Sequence, residues 1–265
     1  MLDQLITTAI LGLIQGLAEW LPISSTAHLR IAEHYLGLTT TPLFNLILHL
    51  GTLIVVVFYF RTDVKNIITA LIHLDFKTEY GKMIPLIVAA TIPTGVIGIL
   101  YVEYLENTLL QMLVIGITFI VGATLVYSSH YGKEKTDTIT YPIAIIMGVA
   151  QGLAIFPGLS RSGATISTSL LLGVKRQKAF KFSFLLSIPA IVGDTVVEGY
   201  KDRGQLALSG MSSVAVLVGV VVAMIVGYIA IRIVSKLVIS KKFHYFAVYT
   251  WILGIVLIVL TLTGH

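Results

Sequence analysis

The chain contains no cysteine among its 265 residues, which excludes disulfides, thiolate catalysis and cysteine-ligated metal centres. It is also poor in charge. Only 12% of residues are Asp, Glu, Lys or Arg, against about a quarter in a soluble domain. No His-x-x-x-His pattern or carboxylate cluster with metal-site spacing occurs, so a tightly held structural metal is not expected. The alternating segments of about ten residues that mark a transmembrane barrel are missing as well. The N-terminus, Met1-Leu2-Asp3-Gln4, has neither the basic region nor the small-residue cleavage site of a signal peptide, and reads as part of the mature fold. What is present is apolar: 56% of residues are hydrophobic, the mean hydropathy is +0.93, and several apolar runs reach about twenty residues. These features describe an all-α polytopic membrane protein. The net charge of +5 comes from short basic clusters between apolar runs, the pattern of topology signals and anionic-lipid contact rather than nucleic-acid binding.

Two stretches break the apolar pattern. The first is Gln15-Gly-Leu-Ala-Glu19-Trp-Leu-Pro22-Ile-Ser24-Ser25-Thr26-Ala-His28. Proline ends the helix before it, and Ser24 or Ser25 caps a second short helix running to Gly37. The second is Gln151-Gly-Leu-Ala-Ile-Phe-Pro157-Gly158-Leu-Ser160-Arg161-Ser162-Gly163-Ala-Thr165. Each interrupts a pair of helices too short to cross a hydrocarbon core of about 30 Å. Spans long enough to cross are expected at 43–60, 83–101, 109–128, 182–197, 211–231 and 244–263.

Loops 61–82, 130–138, 175–181 and 232–243 are rich in lysine and arginine and are expected in the cytoplasm. The loop with Glu103 and Glu106 is expected outside. Residues 198–210 are ambiguous by charge and fall outside by alternation. The interrupted elements, 5–36 and 140–173, then enter and return from opposite faces. That describes two re-entrant hairpins in an inverted-topology repeat, 1–128 and 139–265, within one membrane domain. The match of Gly12-Leu-Ile-Gln15-Gly16-Leu-Ala18 to Gly148-Val-Ala-Gln151-Gly152-Leu-Ala154 agrees with a duplication. The small-residue face of Gly219, Ala223 and Gly227 suits helix packing within a subunit or in a homodimer.

A carboxylate in an apolar helix costs several kcal/mol unless it is paired, neutral or wet, so Glu19 is a functional candidate by default. A plainer reading is an acid satisfied by hydroxyls or by Gln15, which lies one turn earlier. His28 faces the same side as Ser25 and suits a base, acid or nucleophile near neutral pH. His34, His49, His73 and His130 read as structural. Arg161 opens a helix behind a glycine-flanked turn, where free backbone N–H groups and a guanidinium fork favour an anion, with Ser160, Ser162 and Thr165 adding hydroxyls. The plainer alternative is an arginine snorkelling to the surface. The spacing is not that of a Walker loop. An anion cradle embedded in lipid suits a phosphate-bearing amphiphile.

These two stretches resemble the undecaprenyl-diphosphate phosphatase, or bacitracin-resistance, family over nearly the whole chain. That family's motifs are Glu or Gln, three residues, Glu, leading into Pro-x-Ser-Ser-Thr-x-His, and later Pro-Gly-x-Ser-Arg-Ser-Gly-x-Thr. The resemblance implies hydrolysis of a polyprenyl diphosphate to the monophosphate in the cell membrane, which recycles the lipid carrier for envelope synthesis. It also implies a divalent cation, Mg or Ca. Carried over, Glu19 is the essential acid, a cation ligand with Gln15 or the group that prepares the nucleophile. Gln15 stands where many members have a second glutamate. Ser25 or His28 attacks the distal phosphorus, with Ser25 favoured and His28 as its proton partner. Arg161, Ser160, Ser162 and Thr165 hold the diphosphate, and Ser24, Thr26 and Gln151 are counted with them. Ala27 replaces a glycine common before the histidine. The expected partners are the lipid substrate and membrane lipids, with a site opening to the outer face. A transporter or flippase of lipid phosphates is the alternative that the architecture itself suggests.

Overall fold

A computed structural model describes residues 2–38, 41–104, 111–201 and 211–264. Glu106 and the 202–210 stretch lie outside the described residues. Those described form α-helices and short 3-10 turns, with no strand among them and one isolated bridge between Thr136 and Val174. In chain order the helices are α1 (Leu2–Trp20), α2 (Ser25–Leu36), α3 (Pro42–Tyr59), α4 (Arg61–Ile72), α5 (Glu79–Tyr104), α6 (Met112–Ser128), α7 (Tyr141–Leu153), α8 (Arg161–Leu171), α9 (Arg176–Lys201), α10 (Ser213–Ile239) and α11 (Phe246–Leu262).

Six helical segments are long and apolar enough to cross a membrane: Pro42–Tyr59, Glu79–Tyr104, Met112–Tyr131, Arg176–Lys201, Ser213–Ile239 and Phe243–Leu262. They match the six expected spans. Two begin earlier than hydropathy alone suggests, α5 at Glu79 rather than 83 and α9 at Arg176 rather than 182. Their first turns carry Glu79 and Lys82, or Arg176, Lys178 and Lys181. A hydropathy window trims such charged turns although the backbone is already helical. Within the expected 61–82 loop, α4 is an additional amphipathic helix, with Ile68, Leu71 and Ile72 exposed.

Helix ends follow local chemistry. Thr41 caps α3, its hydroxyl accepting from the Phe44 N–H at 3.2 Å, with Pro42 in the first turn. Gly37 ends α2 in the left-handed conformation. Exposed Ile92, Ile99, Leu217 and Ile252 present apolar side chains outward, as lipid-facing spans require.

Packing is organised by pairs. α1 lies along α10, α7 along α5, α3 meets α9, and α6 pairs with α11. Both short first helices approach their partners through glycine. A Cβ on Gly16 would lie 2.6 Å from the Ala223 carbonyl oxygen, and one on Gly152 would lie 2.9 Å from the Ile97 Cβ and 3.2 Å from the Thr94 Cα. Gly12 faces Gly219, and Gly148 faces Ala90, in the same way. The small-residue face of α10 is therefore covered by α1 of the same chain, so it leaves no face for a second subunit.

The four basic loops gather at one end of the molecule. Lys181 pairs with Asp63 at 2.6 Å and Lys178 with Glu79. Arg176 pairs with Glu134 at 3.4 Å and also reaches the Val238 carbonyl, and Lys175 pairs with Asp137 at 3.2 Å. That hydrogen bond from Lys175 holds the Asp137 carboxyl below its usual range. The starts of α1, α3 and α10 meet at the other end, through Gln4 with Ser212 and Thr41 with Met211. From there α1 runs beside α10 only as far as Gly227, which contacts Trp20. That point is halfway along a helix of 27 residues, about 40 Å long.

Candidate active site

Where α1 stops, Pro22 prevents continuation and the last carbonyls of the helix are left without intrahelical donors. The second motif supplies the missing donors. The Ser162 hydroxyl donates to the Trp20 carbonyl at 2.9 Å, and the Ser160 hydroxyl to the Leu21 carbonyl at 3.3 Å. The Gly158 N–H donates to the Ser24 hydroxyl oxygen at 3.1 Å. The two tips, 140 residues apart in sequence, are thus stitched together deep in the helical bundle. Ser160 also caps α8, its hydroxyl oxygen accepting from the Gly163 N–H at 3.2 Å.

Both turns need unusual backbone. Ser24 has φ 69° and ψ 104°, a region a non-glycine residue occupies only when its surroundings hold it there. What holds it is visible: its carbonyl accepts from the His28 N–H at 3.3 Å and from the His28 ring Nδ1 at 2.8 Å, while its hydroxyl holds Gly158. Gly158 has φ 101°, and a Cβ there would lie 2.9 Å from the Ile115 carbonyl oxygen and 3.0 Å from the Phe119 nitrogen. The same turn is pinned by a hydrogen bond from the Thr118 hydroxyl to the Pro157 carbonyl.

Glu19 is the hub of the polar cluster and is 7% exposed. Its Oε2 accepts from the Ser25 hydroxyl at 2.7 Å and from the Gln15 side-chain amide at 3.1 Å. Its Oε1 lies 3.6 Å from Nη1 of Arg161, and Nε2 of His49 lies 3.8 Å from Oε2. Arg161 donates through Nη2 to Asp194 on α9 at 3.0 Å, while its buried Nη1 has no hydrogen-bond partner. Beside this pair is a small cavity with room for about one water, lined by Glu19, Trp20, Arg161, Thr165, Ser183 and Ser187 among others.

The structure brings together Glu19, Gln15, Ser25 and Arg161, as their chemistry suggested. It places other candidates differently. The ring nitrogens of His28 are both engaged, Nδ1 at the Ser24 carbonyl and Nε2 at the Tyr249 hydroxyl, 2.8 Å each. The ring stacks on Tyr249 and meets the edge of Phe119. Ser160 and Ser162 are spent on the stitch between tips, and the Thr165 hydroxyl donates to the Arg161 carbonyl at 2.9 Å. Gln151 lies in the α5–α7 contact, donating to Thr94 at 3.3 Å. Thr26 is exposed.

Three neighbours of the site are new. His49 stands at Glu19 rather than in a purely structural setting, and its Nδ1 at 3.0 Å from the Asn45 carbonyl must be the protonated nitrogen. A neutral ring then presents the Nε2 lone pair toward Glu19. Asp194 orients Arg161, and Ser183 has a buried hydroxyl without a partner. His49 is the lone His, Lys, Arg, Asp or Glu of the expected span 43–60, and Asp194 is the lone such acid of 182–197. The rule that singled out Glu19 therefore applies to both.

A family model described as bacitracin resistance protein BacA matches residues 8–256. The chain belongs to the BacA family. It is 38% identical to a protein named undecaprenyl-diphosphatase from Carboxydothermus hydrogenoformans, over 96% of this chain and 97% of that one. It is 40% identical to one from Halothermothrix orenii, covering 94% and 95%, and 37% identical to one from Methanobrevibacter smithii, covering 98% of each.

For a BacA-family chain the fit of a divalent cation is a question of donors. Among the described residues no three His, Asp or Glu side chains converge as a metal site. The available oxygens are the Glu19 carboxylate and the buried Gln15 Oε1, which has no hydrogen-bond partner. Two side chains, with three oxygens between them, are too few for a closed cage. They suit a cation that completes its shell with phosphate oxygens and water, as Mg characteristically does.

Proposed function

We propose that this chain is an integral-membrane phosphatase that hydrolyses undecaprenyl diphosphate to the monophosphate and inorganic phosphate. The observation that carries this reading is a single arrangement. A buried Nη1 of Arg161 that makes no hydrogen bond lies 3.6 Å from a carboxylate that holds the Ser25 hydroxyl at 2.7 Å. An anion receptor, a base and a nucleophile share one small volume, and the family's named relatives supply the substrate.

Ser25 attacks the distal phosphorus and Glu19 takes its proton. The new bond joins Ser25 Oγ to phosphorus, and the bond from phosphorus to the bridging oxygen breaks. The lipid monophosphate leaves as an oxyanion next to Arg161. Glu19 first releases the Ser25 proton to solvent. It then takes a proton from water as the water oxygen attacks phosphorus, and returns that proton to Ser25 Oγ as the phosphoserine bond breaks and inorganic phosphate leaves. A cation held by Glu19 and Gln15 together with the diphosphate would neutralise charge on the transferring group. His49 steadies the Glu19 carboxylate when Nε2 carries a proton as well as Nδ1. His28 acts at one remove, holding the strained Ser24 turn and so the aim of Ser25. Because the cavity has room for about one water, the diphosphate must displace Arg161 from Glu19 on entry, while Asp194 keeps hold of the guanidinium.

The partner pattern supports an inverted repeat. α1 on α10 is mirrored by α7 on α5 when residues 1–128 are set against 139–265. In that reading α1–α2 and α7–α8 are re-entrant hairpins. The gathered basic loops mark the cytoplasmic end of a plasma-membrane protein, and the Glu19 hairpin enters from the opposite, outer side. The test is phosphate release from undecaprenyl diphosphate by purified protein with Mg or Ca present, abolished in Glu19→Ala and Arg161→Ala. Failure of the wild type to release phosphate would sink the reading.

A further inference from the structure

At the end where the basic loops meet, a second cavity, of about 420 Å³, opens between the first turns of α5 and α9 and the 137–139 segment. Its lining is divided. Phe182 is buried and Met83, Leu86 and Ile139 are half-buried, whereas Lys82 is exposed, Lys178 and Lys181 are partly so, and Thr138 offers a hydroxyl.

Charge at this cavity favours an anion. The lining also holds two carboxylates, Glu79 and Asp137, against the three lysines. Each is matched to an ammonium, Glu79 to Lys178 and Asp137 to Lys175, as Asp63 beside the cavity is to Lys181. An ammonium has three donors, so Lys178 and Lys181 each keep donors beyond the one spent on a carboxylate. Lys82 forms no ion pair with a described residue. The N-terminal ends of α5 and α9, two helices of 26 residues each, add partial positive charge on the same side. A free inorganic anion gains nothing from the apolar wall, and a neutral lipid gains nothing from the lysines. An anionic lipid uses both.

We propose that this cavity binds an anionic phospholipid of the leaflet at the basic end, its phosphate among Lys82, Lys178 and Lys181. Its first acyl carbons lie against Met83, Leu86, Ile139 and Phe182. The site does not depend on the phosphatase reading, but it touches the same helix. α9 runs from Lys181 and Phe182 directly into Ser183 and Ser187, which line the Glu19 cavity. Ser187 lies about 9 Å along the axis from Lys181. A bound lipid therefore braces the helix that forms one wall of the candidate active site.

The test uses the full chain, delipidated in detergent and then exposed to equal amounts of phosphatidylglycerol and phosphatidylcholine with matched acyl chains. Retained lipid is counted by native mass spectrometry. Preferential retention of about one phosphatidylglycerol per chain is expected, reduced at least fivefold in Lys82→Gln and in Leu86→Trp, which fills the cavity. Lys236→Gln, a basic position at the same end but outside the cavity, should retain lipid as the wild type does. Unfolding temperature and phosphate release, measured in parallel, establish that the variants fold. If Leu86→Trp does not fold, Lys82→Gln decides alone. Equal retention of the two lipids, or undiminished retention in Lys82→Gln, overturns the proposal. So does complete displacement of the lipid by millimolar inorganic phosphate, since that would make the ligand the phosphate and not the amphiphile.

Discussion

Glu19 and Ser25 should behave as one catalytic unit, and a double-mutant cycle can show it. The Ser25 hydroxyl sits 2.7 Å from Glu19 Oε2, so each residue acts through the other. Glu19→Gln keeps the shape of the side chain but removes the base. Ser25→Ala removes the attacking oxygen and leaves the base nothing to activate. General-base assistance contributes about 100- to 10,000-fold, equivalent to about 2.7–5.4 kcal/mol of barrier at 1.36 kcal/mol per decade. Each single variant should lose at least the lower figure in kcat. If the pair is a unit, the double variant falls no further than the worse single. The coupling energy then equals the smaller single effect, about 2.7 kcal/mol or more. Independent contributions would instead multiply, to a loss of about 10⁴ or beyond. The assay is phosphate release from undecaprenyl diphosphate in detergent, at saturating lipid and cation, on variants whose unfolding midpoints match the wild type. Multiplicative losses, or Ser25→Ala retaining more than a tenth of the activity, would refute the assignment of Ser25 as nucleophile.

Other changes separate positioning from chemistry. Arg161→Lys keeps one charge but loses the fork that joins Asp194 to an incoming phosphate, and kcat/KM should drop by about 100- to 1,000-fold. His28→Ala and Tyr249→Phe should lower the unfolding temperature together with activity, because they release the Ser24 turn, whereas Glu19→Gln lowers activity alone. Gln15→Glu adds a charged ligand beside Glu19 and should cut the Mg or Ca concentration for half-maximal rate by about tenfold. An unchanged requirement would remove Gln15 from the cation site. Gly16→Ala forces a methyl within 2.6 Å of the Ala223 carbonyl oxygen and should cost about 1–3 kcal/mol in detergent unfolding. Gly95→Ala, where a Cβ meets open space, should stabilise α5 by about 0.5–1 kcal/mol.

How far these features were legible in sequence depended on how local their cause is. Six spans and the basic loops follow from hydropathy and charge within short windows, so both could be read directly. The first turns of α5 and α9 were trimmed because Lys82, Lys178 and Lys181 look like loop residues until helical backbone beneath them is seen. Glu19, Ser25 and Arg161 stood out because polar groups are costly in an apolar segment. His49 and Asp194 obeyed the same rule but lacked a motif around them, and only the packing of α3 and α9 against the tips reveals what they touch. The roles of Ser160 and Ser162 were beyond sequence reading. Whether a hydroxyl binds substrate or backbone depends on which carbonyls another segment leaves unpaired, and those belong to Trp20 and Leu21.

That last dependence explains why the site requires two broken helices rather than one. A helix ending inside the helical bundle leaves carbonyls where water is scarce, and each unpaired one costs several kcal/mol. Pro22 creates that deficit at the end of α1, and the start of α8 meets it with the hydroxyls of Ser160 and Ser162. Satisfying the backbone of the first tip therefore brings the N-terminus of α8 to it, and Arg161, the first residue of that helix, arrives beside Glu19 as a consequence. The free N–H end of one helix and the orphaned carbonyl end of the other are electrostatic complements, so the contact that makes the interruption tolerable also sets a guanidinium against a carboxylate. A Ser162→Ala variant separates the two effects. It keeps Arg161 and Glu19 intact but leaves the Trp20 carbonyl buried and unpaired, so it should lose about 1–3 kcal/mol of stability and also activity. Restoring stability by added lipid or lower temperature should then recover the rate. A stable but inactive Ser162→Ala would instead place that hydroxyl on the substrate.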